Sequence, residues 1–328
     1  MKLIIQIPCF NEEETLQATY DALPKKIDGI DEIETLIIDD GSTDKTIEKA
    51  RDLGIDYIVR FRRNKGLAYG FRAGLDACLR MNADIIVNTD ADNQYRADDI
   101  EKLIKPILNE EADEVIGERP IDEIEDFSPL KKKFQHLGSW VVRKASGTGI
   151  QDAPSGFRAF SREAAMRINV INDYTYTLET IIQAGRNRYA IEGVPIHTNP
   201  QTRKSRLFKS IWSYMRKSGS VIIRSTLMYS PLAFFGGFSL VFLIIGVIIG
   251  IRFIILGGIG HVQSLILCAV FILIGTQTLF LALQGDIIAA NRRLLEDIQV
   301  RVRRLEIKNG DVPDDLIIVK QEENTEDA

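Results

Sequence analysis

Short runs of β-branched and other apolar residues recur along the first third of the chain: LIIQI at 3–7, ETLII at 34–38, DYIVR at 56–60, DIIVN at 84–88 and DEVIG at 113–117. Between most of them the apolar positions switch to helical spacing, over Glu13 to Leu23, Asp44 to Leu53, Gly66 to Met81 and Ala97 to Asn109. Strands alternating with helices predict βαβ units. They also predict a largely parallel sheet whose functional loops gather at the carboxyl ends of the strands. Pro106 falls inside the last of these helical patterns and is expected to kink or end it.

The pattern then changes. From Arg119 to Phe134 prolines, acids and the run Lys131-Lys132-Lys133 predict a mobile loop, and a second cluster of elements follows as far as Val194. From Phe208 to Leu227, Phe208, Ile211, Trp212, Met215, Ile222 and Ile223 alternate with Lys and Arg, as in a helix lying on a membrane surface. Two uncharged stretches come next, LAFFGGFSLVFLIIGVIIGI at 232–251 and VQSLILCAVFILIGTQTLFLAL at 262–283. About 20 apolar residues suffice for a helix to cross the hydrocarbon core, so the pair predicts a transmembrane hairpin closed by a Gly-rich turn. Its small residues, Gly236, Gly246, Gly250 and Gly275 among them, suit close helix packing in lipid. Beyond it Ile288, Leu295, Val302 and Leu305 have heptad-like spacing, which suggests a helical tail able to self-associate, and QEENTEDA reads as disordered. The expected organisation is a catalytic domain over 1–207, a juxtamembrane helix over 208–228, the hairpin over 229–285 and a tail over 286–328, with a homo-oligomer formed through the membrane helices or the tail as one option.

Charge refines this picture. Lys and Arg total 41 against 46 Asp and Glu, a net charge of −5 that argues against general nucleic-acid binding, while the basic cluster before the hairpin can meet anionic lipid. Basic residues flank both outer ends of the hairpin, and its connecting turn offers only Arg252 and His261, so both termini are expected on the cytoplasmic side of an integral membrane protein. The opening MKLIIQIPCF meets Asn11-Glu12-Glu13-Glu14 at once, too short an apolar run for a signal peptide. Cys9, Cys78 and Cys268 are few and odd in number, as a reducing compartment permits.

Four acidic or Gly-containing turns fall just after predicted strands: PCFNEEE at 8–14, DDGSTDKT at 39–46, RNKGLAYG at 63–70 and DADNQY at 90–95. Each alone is ordinary turn chemistry, but in a parallel sheet all four converge on one edge. As an ordered set they resemble the nucleotide-sugar site of family 2 glycosyltransferases, which implies an α/β fold of the GT-A, Rossmann-like type with a mostly parallel sheet over about two thirds of the chain. The resemblance implies that Pro8, Asn11, Glu12, Asp39, Asp40, Lys65, Gly66, Asp90 and Ala91 hold the nucleotide donor. It further implies that Asp90-x-Asp92 is the metal-binding pair, with Gln94 as a further metal ligand of the polyprenyl-phosphate branch. Hard oxygen ligands suit Mg²⁺ or Mn²⁺, and such a cation neutralises a departing diphosphate.

Further along, DAPSGFR at 152–158 is similar to the D-x-x-SGFR stretch of polyprenyl-phosphate mannosyl- and glucosyltransferases, Gly117-Glu118-Arg119 to that branch's G-S/E-R turn, and Arg203, Ser205 and Arg206 to its R-x-x-S-K segment. This implies Asp92, Arg119, Asp152 and Arg203 as catalytic residues, and Arg119, Arg143, Ser155, Arg158, Ser205 and Arg206 around the acceptor phosphate. A phosphate monoester has its second pKa near about 6 and is largely dianionic at neutral pH, so it can attack an anomeric carbon without a strong base. Positioning and charge neutralisation then carry the reaction. His136 and His197 are expected to be structural, and Asp152 and Glu179 to orient other groups.

The implied activity is inverting transfer of a hexose from a GDP-mannose or UDP-glucose type donor to polyprenyl or dolichyl phosphate at the cytoplasmic membrane face. Two other readings are a hydroxyl-bearing lipid or lipid-linked oligosaccharide acceptor, which would need a base, and a non-catalytic membrane scaffold, against which the intact Asp90-x-Asp92 and Gln94 speak. The processive synthases' Q-x-x-R-W motif is lacking, since Gln183-Ala184-Gly185-Arg186-Asn187 has no Trp.

Overall fold

A computed structural model describes residues 1–122, 129–172, 175–200, 211–257, 261–311 and 318–320. Its elements in chain order are β1 (Lys2–Cys9), α1 (Leu16–Asp21), β2 (Glu32–Asp39), α2 (Thr46–Asp52), β3 (Tyr57–Arg60), α3 (Leu67–Arg80), β4 (Ile85–Asn88), α4 (Ile100–Leu108) and β5 (Glu114–Glu118). There follow α5 (Pro129–Ser146), β6 (Arg158–Ser161), α6 (Arg162–Arg167), α7 (Thr177–Asn187), β7 (Ile191–Pro195), α8 (Ile211–Tyr229), α9 (Pro231–Ile255), α10 (Val262–Asn309) and β8 (Ile318–Lys320). The first five strands and four helices fall where the apolar pattern predicts them. Pro106 is accommodated in the last turn of α4, which ends two residues later at Leu108.

Eight strands form one sheet in the order β7-β5-β6-β4-β1-β2-β3-β8. The block β4-β1-β2-β3 is parallel throughout. Alternate side chains of β1 enter different cores: Leu3, Ile5 and Ile7 pack in one, Ile4 in the other, and all are buried. A strand covered on both faces needs an unbroken apolar run, and that is why the runs at 3–7 and 34–38 show no polar alternation. Parallel pairs predominate as expected, with β5 also parallel to β7, while β6 runs antiparallel between β4 and β5, and β8 runs antiparallel on β3.

The stretch 119–134, expected as one loop, is helical from Pro129 onward. Proline suits the first helical position because its φ is already set and the N–H it lacks would have no intrahelical partner there. Residues 123–128 lie outside the described residues.

The chain divides into two compact units, one of residues 1–222 with 299–328 and one of residues 223–298. These boundaries differ from the expected ones because the end of α10 returns to the catalytic unit. There Arg303 donates to the carbonyls of Met166 (2.9 Å), Ala165 (3.3 Å) and Ile168 (3.4 Å), where α6 ends, and Arg304 reaches Glu163 at 2.6 Å. A cation at a helix C-terminus satisfies carbonyls that the helix leaves open. β8 then pairs with β3, covering what would otherwise be an open sheet edge. Val302 and Leu305 of the heptad-like set stay exposed on this unit.

The second unit contains α9 and the first part of α10, the two helices long and apolar enough to cross a membrane. The Ser239 hydroxyl donates to the Gly275 carbonyl at 2.8 Å, and Gly246 faces Ile272 so closely that a Cβ would come within 2.9 Å of it. The expected small residues thus bring the helices together, while Phe238, Ile248, Ile255 and Leu273 point outward, as lipid-facing positions must.

Arg303→Ala removes charged hydrogen bonds from the end of α6, at a cost on the order of 1.5–3 kcal/mol. Thermal unfolding of the purified full chain in detergent should show a lowered melting temperature, and an unchanged one would mean that the return of α10 contributes nothing to the catalytic unit.

Candidate active site

The turns after β1, β2 and β3 are built on one another. Asn11, at φ 57°, receives the Thr43 amide on its Oδ1 (2.8 Å), and its own amide donates to the Ser42 hydroxyl (2.9 Å). The Glu12 amide donates to the Thr46 hydroxyl at 2.8 Å. Gly41 has a φ of +73°, and a Cβ there would strike the backbone of Arg63, so only glycine closes this turn. Asp40 receives the amides of Lys65 (2.6 Å) and Gly66 (2.8 Å) on its two oxygens, which pins the turn after β3. Burial raises the Asp40 pKa, against the pull of those two amides. Asp39 is fully buried; its Oδ1 accepts from the Ser42 amide, while Oδ2 has no hydrogen-bond partner and lies 3.3 Å from the Arg60 Nε. Lys65 Nζ sits over the Tyr69 ring at 4.1 Å and donates to its hydroxyl. Pro8 is half-buried within β1, and Ala91 is buried.

The loop after β4 carries Asp90, Asp92 and Gln94. The Gln94 amide donates to Asp92 Oδ1 at 3.1 Å. Asn199 fixes the loop from outside, donating from its side chain to the Asn93 carbonyl (2.9 Å) and from its amide to the Gln94 carbonyl (2.8 Å). On the other side stands Gly156, whose amide donates to the Tyr95 hydroxyl (3.1 Å) and whose carbonyl accepts from Asn88 (2.8 Å). A Cβ at Gly156 would lie 3.3 Å from both Asp90 oxygens and 3.1 Å from the Tyr176 hydroxyl. Burial and then the neighbouring Asp92 carboxylate push Asp90 up to about 7, against Arg119. Burial, with Asp90 and Asp152 adding to it, pushes Tyr95 up to about 12.

Among the described residues no three His, Cys, Asp or Glu form a complete metal cage. Asp90, whose ionisation burial and the neighbouring Asp92 carboxylate oppose, together with Asp92 and the amide side chain of Gln94, is nevertheless a hard oxygen set with room for further ligands. This fits an Mg²⁺ or Mn²⁺ ion held by Asp90, Asp92 and Gln94 and completed by donor phosphates and water.

At the end of β5, Arg119 is gripped by Asp152 through Nε to Oδ2 (2.6 Å) and a terminal nitrogen to Oδ1 (3.0 Å), and the Arg119 amide adds a third bond at 3.2 Å. Burial disfavours the guanidinium charge, yet Asp152 raises its pKa above the usual value. The other edge of the guanidinium has no hydrogen-bond partner among the described residues. Asp152 therefore holds Arg119 in place.

One expectation needs correcting. Arg158 is fully buried, and protein acceptors engage all five of its N–H groups: Glu114, Thr180 and the carbonyls of Ala153, Ser155 and Thr177. It cannot serve an acceptor phosphate; it ties the 153–155 loop to α7. Glu179 is also buried and accepts the amides of Ile171 and Asn172, so it orients backbone between β6 and α7. Ser155 is buried with its hydroxyl unpartnered, and Arg143 reaches the Ile150 carbonyl at 3.3 Å. His197 pairs with Asp99 and His136 with Asp122, and Gln183 holds the Asn169 amide near the end of α7. Arg203, Ser205, Arg206 and Phe208 lie outside the described residues.

The sequence profile described as glycosyl transferase family 2 matches residues 4–168, and an uncharacterized protein of Methanocaldococcus jannaschii is 35% identical over 202 residues, 60% of this chain and 81% of that protein. The chain belongs to glycosyl transferase family 2. The UDP-N-acetylglucosamine–dolichyl-phosphate N-acetylglucosaminyltransferase of Methanococcus voltae is 32% identical over 217 residues, 58% of this glycosyltransferase and 83% of that enzyme. The dolichol-phosphate mannosyltransferase of Pyrococcus furiosus is 30% identical over 228 residues, 66% and 62% of the two chains. In fold, this glycosyltransferase is similar to glucosyl-3-phosphoglycerate synthase from Mycobacterium tuberculosis, crystallised with Mn²⁺, UDP-glucose and phosphoglyceric acid. The TM-score is 0.54 at 20% identity, covering 69% and 79% of the chains. The α/β architecture of the GT-A type is thereby established.

Contacts that the linear motifs do not reveal complete this site: those of Tyr95, Asn88 and Tyr176 with Gly156, and of Asn199 with the loop after β4.

Two outcomes follow. Gly156→Ala pushes a methyl group against both Asp90 oxygens, and Mn²⁺ titration of UDP or GDP binding should show an affinity lower by about tenfold, the loss typical when groups that orient metal ligands are disturbed. Arg158→Met strands the buried Glu114 carboxylate at a cost of about 3–5 kcal/mol. Denaturant unfolding should recover much of that loss in the double variant with Glu114→Gln.

Proposed function

We propose that this glycosyltransferase moves a hexose, or its N-acetylamino counterpart, from a nucleotide diphosphate to polyprenyl or dolichyl phosphate at the cytoplasmic face of a membrane. The observation that carries this reading is the Arg119–Asp152 pair, a guanidinium held rigidly by one edge and with no hydrogen-bond partner on the other among the described residues, sharing a field with Asp90. A planar fork of this kind suits a phosphate oxygen pair better than a hydroxyl. Two of the named relatives above carry a lipid phosphate in their names and differ in the sugar, which supports the acceptor class and leaves the sugar open.

On the donor side, the interlocked turns at Asn11, Asp40 and Lys65 form the wall for base, ribose and diphosphate, and the Asp39 carboxylate, with Arg60 beside its Oδ2, suits a ring N–H of uracil or guanine. The bound cation supplies charge neutralisation of the diphosphate, held by Asp90, Asp92 and Gln94. Arg119 orients the acceptor phosphate so that one of its oxygens attacks the anomeric carbon from the side opposite the leaving group. The new C–O bond forms as the bond to the β-phosphate oxygen breaks, the nucleoside diphosphate leaves with that electron pair, and the configuration inverts. Because the acceptor is already an anion, no side chain has to remove a proton. The apolar pair α9 and α10, with basic residues at both outer ends, supports a catalytic unit on the cytoplasmic side.

The test is transfer from a panel of labelled nucleotide sugars to purified polyprenyl phosphate, with Mn²⁺ and with EDTA. One donor should give product that disappears with EDTA and in Asp92→Ala. Asp152→Asn should raise KM for the lipid phosphate by about ten- to a hundredfold, the value of one charged hydrogen bond, with donor binding retained. Absence of product from every donor, in protein that binds nucleotide, would overturn the phosphate acceptor.

A further inference from the structure

The helix α5 stands apart from the rest of the catalytic unit in charge. Its sequence PLKKKFQHLGSWVVRKAS contains three consecutive lysines, Arg143 and Lys144, and no acidic residue, in a chain whose net charge is −5. Its two faces have different work. The inner face is buried at Ser139, Val142 and Ser146, with Ser139 accepting the Ala153 amide at 3.2 Å and Arg143 donating to the Ile150 carbonyl. The outer face carries Lys133, Leu137, Trp140 and Lys144, at spacings of four, three and four residues that align them along one side of a helix. All four are exposed, Leu137 at 51% and Trp140 at 50%.

Two large apolar side chains in mid-helix, bracketed by lysines, are costly in water and match the chemistry of an interfacial helix, whose Trp sits at headgroup level and whose cations meet anionic lipid. The nearby Asp122 is committed to His136, at 3.0 Å, and its carbonyl to Lys132, which leaves Lys133 and Lys144 without an ion-pair partner among the described residues. Both candidate spans lie in the same chain, so a bilayer is within reach of this unit.

We propose that the outward face of α5, formed by Lys133, Leu137, Trp140 and Lys144, docks on the anionic surface of a lipid bilayer. The occupant is lipid rather than protein because, among the described residues, the apolar pair is bracketed by the unpaired cations Lys133 and Lys144, and the nearby Asp122 carboxylate is taken up by His136. Docking has a direct structural consequence: the inner face of the same helix holds the 150–153 loop that presents Asp152 to Arg119. The inference draws on the two spans for the presence of a membrane and not on the identity of the acceptor, so it can fail or stand independently of the transfer assay.

The experiment uses the full chain with Trp212→Phe, which leaves Trp140 as its one tryptophan. The protein is reconstituted in nanodiscs of phosphatidylcholine with phosphatidylglycerol, with and without brominated acyl chains. Trp140 emission should shift to the blue on transfer from detergent and lose about half its intensity to bromine, as expected for a ring at the acyl boundary. Leu137→Gln and Lys133→Glu with Lys144→Glu, all at exposed positions, should reverse both effects, with helix content by circular dichroism reporting that the fold is kept. Trp140 as open to aqueous iodide in nanodiscs as in detergent would overturn the proposal. Shielding that appears in detergent and grows with protein concentration would overturn it in favour of a second copy on this face.

Discussion

Carboxylates crowd one edge of the sheet, and the rest of the structure is arranged around the cost of keeping them there. Asp39 and Asp40 at the end of β2, Asp90 and Asp92 after β4, and Asp152 in a distant loop converge from two strand ends and that loop. In water such a set would simply spread apart; here the parallel sheet holds the first four within one edge. The protein disposes of some of the charge itself. Asp40 is satisfied by two amides, Asp39 by one amide and a nearby arginine, and Asp152 by Arg119. Among the described residues Asp90 and Asp92 have no cation of their own beyond the more distant pull of Arg119, and the rise of the Asp90 pKa to about 7 reflects the cost. A diphosphate and its divalent ion are the complement of this arrangement: the ion relieves the carboxylates, and the phosphates fill the shell that the protein leaves incomplete.

The same logic separates the two buried arginines. Arg119 and Arg158 both lie near the loop 152–158 and both pair with a carboxylate. Arg158 has all five N–H groups taken by protein and is enclosed, so its charge is part of the scaffold. Arg119 commits one edge only. An arginine recognises a ligand with what its protein partners leave free, and by that criterion one of the pair is available and the other is not.

How far this was readable from sequence depends on how local the information is. The parallel strands and the two apolar helices were legible because each is a continuous run of apolar residues with its own turn chemistry. The antiparallel strand β6 was not, since RAFS is four residues long and has no periodicity to detect. Nor was β8, which follows a charged stretch and belongs to the sheet only because α10 returns to the catalytic unit. At the site, the acidic turns could be named because the residues lie together in the chain. Tyr95 reaching Gly156 spans 61 positions and Asn199 reaching Asn93 spans 106, and no local pattern encodes such pairs. Arg158 was misassigned for the same reason: a motif places the residue, but the burial that decides its role comes from Glu114 and Thr180, far away in sequence.

On the proposed function, the reaction joins two phosphorylated substrates, one of them fixed in a bilayer, and poses a positioning problem more than an acid–base one. The donor can diffuse to its wall of turns from solution. The lipid cannot leave the membrane, so the acceptor loop has to be brought to it. The proposed function would account for an Asp152 loop built on a helix whose other face is apolar and cationic, gripped by that helix at Ser139 and Arg143 and anchored a second time from α7 by Arg158. Rigidity at Asp152 and Arg119 is then useful because the group they must meet is itself restricted to a surface, and a fixed guanidinium pays for its ordering once, during folding, rather than at every encounter.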